Sequence, residues 1–158
     1  MNDRVKINYL KMIGFIIGVE ILGFCSSLLS GNIREIYNGL ALPPFSPPGP
    51  LFGIVWPILY VLLGISGYLF WIHRNISPTD NWLFWIQLVL NLLWTIIFFN
   101  FAWFWIGVLI ILTMDGLTIK IIIQLNRGKL VLAKWLMVPY LLWILFATYL
   151  AIGVAILN

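Results

Sequence analysis

Residues 42–60 read LPPFSPPGPLFGIVWPILY, with five prolines in the first nine positions and an apolar run straight after. Proline fixes its own backbone angle and pushes the residue before it toward extended geometry. The run Pro43-Pro44-Phe45-Ser46-Pro47-Pro48 therefore predicts a stiff, largely extended strap. The residues after it predict a helix, with Pro57 tolerable near the first turns. A stiff segment costs little entropy to order, so the strap reads either as a lid across a bundle mouth or as a sharp helix stop and turn.

The apolar character of that helix extends to most of the chain. Of 158 residues, 63% are hydrophobic and 9% charged, where a soluble domain carries roughly a quarter charged residues. A bilayer is the natural solvent for such a composition. A helical span needs about 20 mostly apolar residues, and the pattern predicts five, at 8–30, 51–72, 81–100, 103–125 and 131–156. The expectation is an all-α integral membrane protein: a five-transmembrane-helix bundle forming one membrane domain over residues 1–158, with loop 31–50 on its outer side. Arg4, Lys6 and Lys11 before the first span resemble the start of a signal peptide. The apolar stretch is longer than a signal core, however, and no small-x-small site ends it, so it is read as the first helix.

Charge sets the orientation. With five spans, Arg4, Lys6, Lys11, Arg74, Lys120, Arg127, Lys129 and Lys134 share one side, while Arg34 is alone on the other. The positive-inside rule places the N-terminus in the cytoplasm and the C-terminus outside. The net charge of +4 thus concerns topology and anionic lipid, with no nucleic acid implied. Cys25 is the single cysteine and His73 the single histidine, so the chain holds neither a disulfide framework nor a two-histidine metal or haem site. No glycine-rich phosphate loop or serine nucleophile elbow is present.

Polar groups inside spans are expensive unless paired or facing a cavity. Gln87, Asn91 and Thr95 recur every fourth residue and share one helix face. Ser26, Ser27, Trp56, Tyr60, Asn91, Trp94 and Thr148 all map to the outer half of the bundle, which predicts either an outward-opening cavity or a set of interhelical hydrogen bonds. Glu20 and Asp115 lie midway along antiparallel helices, as a proton-sharing pair or as separate structural carboxyls. Trp71, Trp82, Trp103 and Trp135 read as interfacial belt residues. Gly14 with Gly18, and the row Ala147, Ala151 and Ala155, predict close helix contacts within the bundle or between two copies. Pro139 should bend the last helix.

Three stretches carry a family resemblance. YNGLALPPFSPPGPLFGIVWPILY (37–60) resembles the signature of the tryptophan-rich sensory protein family (TspO), also called translocator protein or peripheral benzodiazepine receptor. The match runs through Pro43, Pro44, Pro47, Pro48, Phe52, Gly53, Val55, Trp56, Leu59 and Tyr60. QLVLNLLWTIIFF resembles the family's third helix through Gln87, Asn91, Trp94, Phe98 and Phe99. PYLLWILFATYL resembles its fifth through Pro139, Tyr140, Trp143, Phe146, Ala147, Thr148 and Leu150. The resemblance implies a homodimeric bundle with a pocket beneath the first loop. That pocket takes a porphyrin-type small molecule such as protoporphyrin IX, and also benzodiazepine-receptor ligands.

The implied ligand-binding residues are Pro44, Trp56, Tyr60, Gln87, Asn91, Trp94, Trp105, Trp143, Ala147 and Leu150, with Trp56 and Trp143 as redox partners. The function implied is binding of a tetrapyrrole and its light-dependent oxidative degradation, with light and oxygen as co-reactants and no intrinsic cofactor. A transporter or sensor of similar amphipathic compounds is the alternative. Two departures stand out. No basic residue follows Tyr149, as the cholesterol-recognition pattern requires, and Leu109 stands where many relatives carry an acid.

Overall fold

The computed structural model describes residues 7–73 and 81–158. Arg4, Lys6 and Arg74, three of the cations used for orientation, lie outside the described residues. Among the described residues, five helices are long and apolar enough to cross a membrane. α1 (Tyr9–Leu29) starts where the Asn8 side chain accepts a hydrogen bond from the Lys11 N–H at 3.1 Å, satisfying a first-turn donor. α2 (Ile33–Gly39) is a short helix capped by Asn32, and α3 (Pro50–Ile72) follows the proline strap. α4 (Asn81–Thr95) runs on into a π-helical turn at Ile96–Asn100, ahead of α5 (Phe104–Arg127) and α6 (Val131–Leu157).

Helix contacts run in the order α1, α3, α6, α5, α4, and α1 touches α4 only lightly. The core between them is filled by Leu63, Tyr68, Phe84, Met114, Ile121, Met137, Tyr140 and Ile144, all essentially inaccessible. Close approach is set by small residues. A Cβ on Gly64 would stand 2.6 Å from the Ile16 Cα, so α1 and α3 meet backbone to backbone there. Ala147, Ala151 and Ala155 are buried inside the bundle, whereas Gly14 and Gly18 have nothing within 4 Å. Leu10, Leu109, Leu132 and Leu142 point outward, as the lipid-facing side chains of a bilayer protein must. Trp82, Trp103 and Trp135 are exposed near span ends, while Trp71 packs on Phe15 beneath the Lys11 ammonium.

The outer loop differs from a plain extended strap. Residues 33–39 are helical because Asn32 and Glu35 make a reciprocal cap: the Glu35 N–H donates to Asn32 Oδ1, and Asn32 Nδ2 donates to the Glu35 carboxylate at 3.0 Å. The proline run is not straight either. Phe45 sits at φ 63°, and the Ser46 hydroxyl donates to the Pro43 carbonyl at 2.7 Å, closing a turn. Pro57 also falls deeper than the first turns, because α3 begins at Pro50.

The strap is clasped to the C-terminal end of α6. Asn158 Oδ1 accepts from the Ala41 N–H at 3.0 Å and its Nδ2 donates to the Ala41 carbonyl at 2.9 Å. The Tyr149 hydroxyl donates to the Pro44 carbonyl at 2.7 Å, and Pro43 fills the space above Gly153. On the inner side, the Tyr37 hydroxyl donates to the Pro47 carbonyl at 2.8 Å. Burial pushes the Tyr37 phenol above its ordinary value, with the Ser46 hydroxyl opposing. The neutral phenol is the bonded form, so this contribution is fully present below about pH 10 and is lost as pH rises through the elevated folded value. Proteolysis of loop 40–49 against pH should accelerate only in that alkaline window, and Tyr37→Phe should abolish the step. A step at lower pH would contradict this assignment.

Candidate functional site

The thin contact between α1 and α4 leaves a cavity of about 510 Å³ in the half of the bundle that carries the 31–50 loop. One face of α1 supplies Glu20, Gly23, Phe24 and Ser27, at the three- and four-residue spacing that keeps side chains in line. α3 supplies Phe52, Gly53, Trp56, Pro57 and Tyr60. Trp94, Thr95, Phe99 and Ala147 close the far wall, and Gly31–Arg34 with Gly49–Pro50 form the outer rim. The two ends of the 31–50 loop therefore border the opening, while the proline run between them is held on α6.

Local sequence explains this wall. Proline at position 57 has no N–H to give the Gly53 carbonyl, which leaves an acceptor on the cavity-facing stretch of α3. The π-helical turn adds a residue to the end of α4 and sets Phe98 and Phe99 inward; such turns recur at functional sites. Gly23 admits the Tyr60 ring: a Cβ there would lie 2.2 Å from the ring carbon Cε2. Trp56 and Tyr60 pack with ring centroids 5.5 Å apart, and Trp94 stacks on Phe98 at 5.1 Å.

Behind Tyr60 lies a fully buried polar network. The Tyr60 hydroxyl donates to Asn91 Oδ1 at 3.1 Å, and Asn91 Nδ2 donates to the Tyr140 hydroxyl at 3.0 Å. Gln87 Nε2 also donates to Tyr140. Asn91, Gln87 and Tyr140 have no exposed surface, so they hold Tyr60 in place as the cavity floor and do not face the cavity themselves.

Each residue expected from the sequence has a definite place. Trp56, Tyr60, Trp94 and Ala147 line the cavity. Trp94 is oriented by an indole N–H bond to the Gly107 carbonyl at 3.1 Å. Leu150 lines a small adjoining void beside Phe52, Trp94 and Ala147. Trp143 is half-buried behind Phe52, centroids 5.8 Å apart, and its indole N–H is buried with no acceptor among the described residues. Pro44 is an exposed residue of the strap, and Trp105 is 60% exposed on the bundle exterior.

Among the outer-half polar residues, Ser27 lines the cavity, while the Ser26 hydroxyl donates to the Leu92 carbonyl at 2.6 Å and ties α1 to α4. Thr148 donates to Asp115 at 2.7 Å between α6 and α5. Glu20 and Asp115 therefore serve separate places: one carboxyl faces the cavity, the other is held between two helices. Sequence reasoning did not place Phe24, Thr95 or Arg34 in the site. Arg34 had stood out only as the lone outer cation, and that isolation was its one signal.

A bundle of apolar helices long enough to cross a bilayer, with an aromatic cavity in one half, defines a multi-pass membrane protein. The chain belongs to the TspO/MBR family, whose model matches residues 15–157. It is 35% identical over 157 residues to the tryptophan-rich protein TspO of Archaeoglobus fulgidus, covering 96% of this chain and 99% of that one. It is also 30% identical to the tryptophan-rich protein TspO of Bacillus cereus, over 87% of this chain and 90% of that one. Identity to the human translocator protein is 29%, over 89% of this chain and 85% of that protein.

Proposed function

We propose that this protein binds a tetrapyrrole of the protoporphyrin IX type in the cavity between α1, α3 and α4, and promotes its light-dependent oxidative breakdown. The observation that supports this reading is the cavity itself. Its volume of about 510 Å³ falls inside the usual range of roughly 300–1,000 Å³ for small-molecule sites. Its walls carry Phe24, Phe52, Trp56, Tyr60, Trp94 and Phe99, aromatic faces on which a flat apolar macrocycle stacks without an axial ligand. Ligands of the benzodiazepine-receptor type suit the same walls.

In this reading dioxygen is the oxidant and the excited macrocycle the reductant. Trp56, in the wall, is the tryptophan placed to exchange an electron with the ring or to meet reactive oxygen formed beside it. Trp143 stands one ring further out, behind Phe52. Transport is the rival function, and it needs a second opening. The layer beneath Tyr60 is closed by Leu63, Gln87 and Tyr140, all with no accessible surface, which favours binding and chemistry over passage. The orientation proposed is N-terminus cytoplasmic, with Lys11, Lys120, Arg127, Lys129 and Lys134 on the cytoplasmic side and the cavity opening outward. The protein is proposed to act as a homodimer.

The test is an absorbance time course of purified protein with protoporphyrin IX, in darkness and under illumination. The Soret band should shift on binding, persist in darkness, and decay faster in light than with detergent alone. Trp56→Phe should slow the light-driven loss, and Trp143→Phe should slow it by less. A shifted band with no protein-dependent decay would retain binding and reject the degradation.

A further inference from the structure

Two charged side chains border the cavity, and the aromatic reading uses neither. Glu20 is an ionisable group within a membrane span, where such residues are rare and face a water-filled cavity or a partner. Its neighbours on the cavity face are Gly23, Phe24 and Ser27, and no ion pair or hydrogen bond holds its carboxylate among the described residues. Arg34, at the rim, is likewise free of an ion-pair partner there. The adjacent Glu35 is engaged by Asn32.

The two charges are set at different depths. Glu20 precedes the end of α1 at Leu29 by nine residues, and Arg34 follows that end. At the helical rise of about 1.5 Å per residue, Glu20 lies on the order of 14 Å below the helix terminus. A carboxylate near the floor and a guanidinium at the lip, with aromatic wall between, form a site with two polar ends of opposite sign. Too deep and too far apart to neutralise one another directly, they suit a ligand that brings the complementary charge to each.

We infer that Glu20 and Arg34 select ligands bearing an N–H or ammonium donor in the buried part and an anionic group at the exposed end. This rests on the proposed function for the cavity as the binding site and specifies the ligand's chemistry. A guanidinium recognises a carboxylate or phosphate by charge-assisted hydrogen bonds, and a carboxylate accepts from N–H donors in the same way. A porphyrin acid meets the rim end, since its propionates are anionic.

The inference is tested on full-length protein in detergent with two independent probe sets, followed by tryptophan fluorescence. The first set compares ω-aminododecanoate with dodecanoate, which lacks the amine, and dodecylamine, which lacks the carboxylate. The wild type should bind ω-aminododecanoate about tenfold tighter than dodecanoate and about threefold tighter than dodecylamine, the smaller factor reflecting solvent at the rim. Glu20→Gln, nearly isosteric, should erase the first preference and leave the second. Arg34→Gln should erase only the second, and Arg34→Lys should restore most of it.

The second set compares protoporphyrin IX with its dimethyl ester, which removes the carboxylates. Arg34→Gln should level acid and ester, while Glu20→Gln should leave that preference in place. Preferences that survive in the variants, or are missing in the wild type, overturn the inference. Protoporphyrin binding without these preferences would reject the inference alone. Preferences in the first set without protoporphyrin binding would reject the tetrapyrrole reading alone.

Discussion

Gly64→Leu is expected to be the most damaging single substitution in the bundle. The Cβ it introduces meets the Ile16 backbone at 2.6 Å, and the Ile16 amide nitrogen lies at 3.1 Å. Backbone cannot rotate away as a side-chain end can, so α1 must lift off α3. Overpacking costs about 1–3 kcal/mol where side chains yield, and a backbone contact belongs at the upper end, about 3 kcal/mol. For a chain of this size that is a fall in Tm of roughly 6–12 °C. The cavity should be lost with it, because α1 is one of its walls. Gly14→Leu is the control: a Cβ on Gly14 would meet nothing within 4 Å, and a change within about 0.5 kcal/mol is expected. Thermal unfolding in detergent decides between them, and equal Tm values for the two variants would refute the backbone contact.

Asn91→Leu should be the next largest. One amide serves two tyrosines, accepting from Tyr60 and donating to Tyr140, and both the amide and Tyr140 are wholly buried. Leucine leaves the Tyr60 hydroxyl without its acceptor and strips one donor from Tyr140. An orphaned buried polar group costs about 1–3 kcal/mol in soluble proteins. Interhelical hydrogen bonds within membranes average about 0.6 kcal/mol. For two bonds a loss near 2 kcal/mol is the reasonable middle.

The functional effect should exceed what stability alone accounts for. Tyr60 packs at 5.5 Å against Trp56, so freeing it disorders the cavity floor, and ligand affinity should fall about tenfold. A double-mutant cycle with Tyr60→Phe separates the two effects. If the network acts through Tyr60, the second change adds little once the first is made. Affinity for protoporphyrin IX unchanged by Asn91→Leu would show that the network braces the helices and nothing more.

Much of the cavity wall was legible in the sequence because its aromatic members are unusual. Trp56, Tyr60 and Trp94 stand out in apolar runs, and an aromatic side chain with a polar tip inside a span needs either a partner or a cavity. The residues behind the wall were harder to assign. Gln87, Asn91 and Thr95 share one helix face, yet only Thr95 reaches the cavity, while the other two turn to Tyr140 and Tyr60. Periodicity tells which residues share a face; it does not tell which neighbour that face meets. Trp105 and Trp143 make the same point: both are tryptophans of apolar helices, but one faces outward and the other stands behind Phe52.

By itself the sequence determined the solvent, the number of membrane-crossing helices and the family. Those properties depend on summed apolar character over about 20 residues and on local chain chemistry, and both can be read without knowing what touches what. The tertiary structure alone decided that the proline run is clasped to α6 through Ala41, Pro44, Tyr149 and Asn158, residues more than a hundred positions apart. It alone decided that Glu20 and Arg34 border one cavity while Asp115 pairs with Thr148 elsewhere. The physical reason is common to all of these. The value of a polar group inside a membrane depends on its partner, and that partner is chosen by how helices distant in sequence come together.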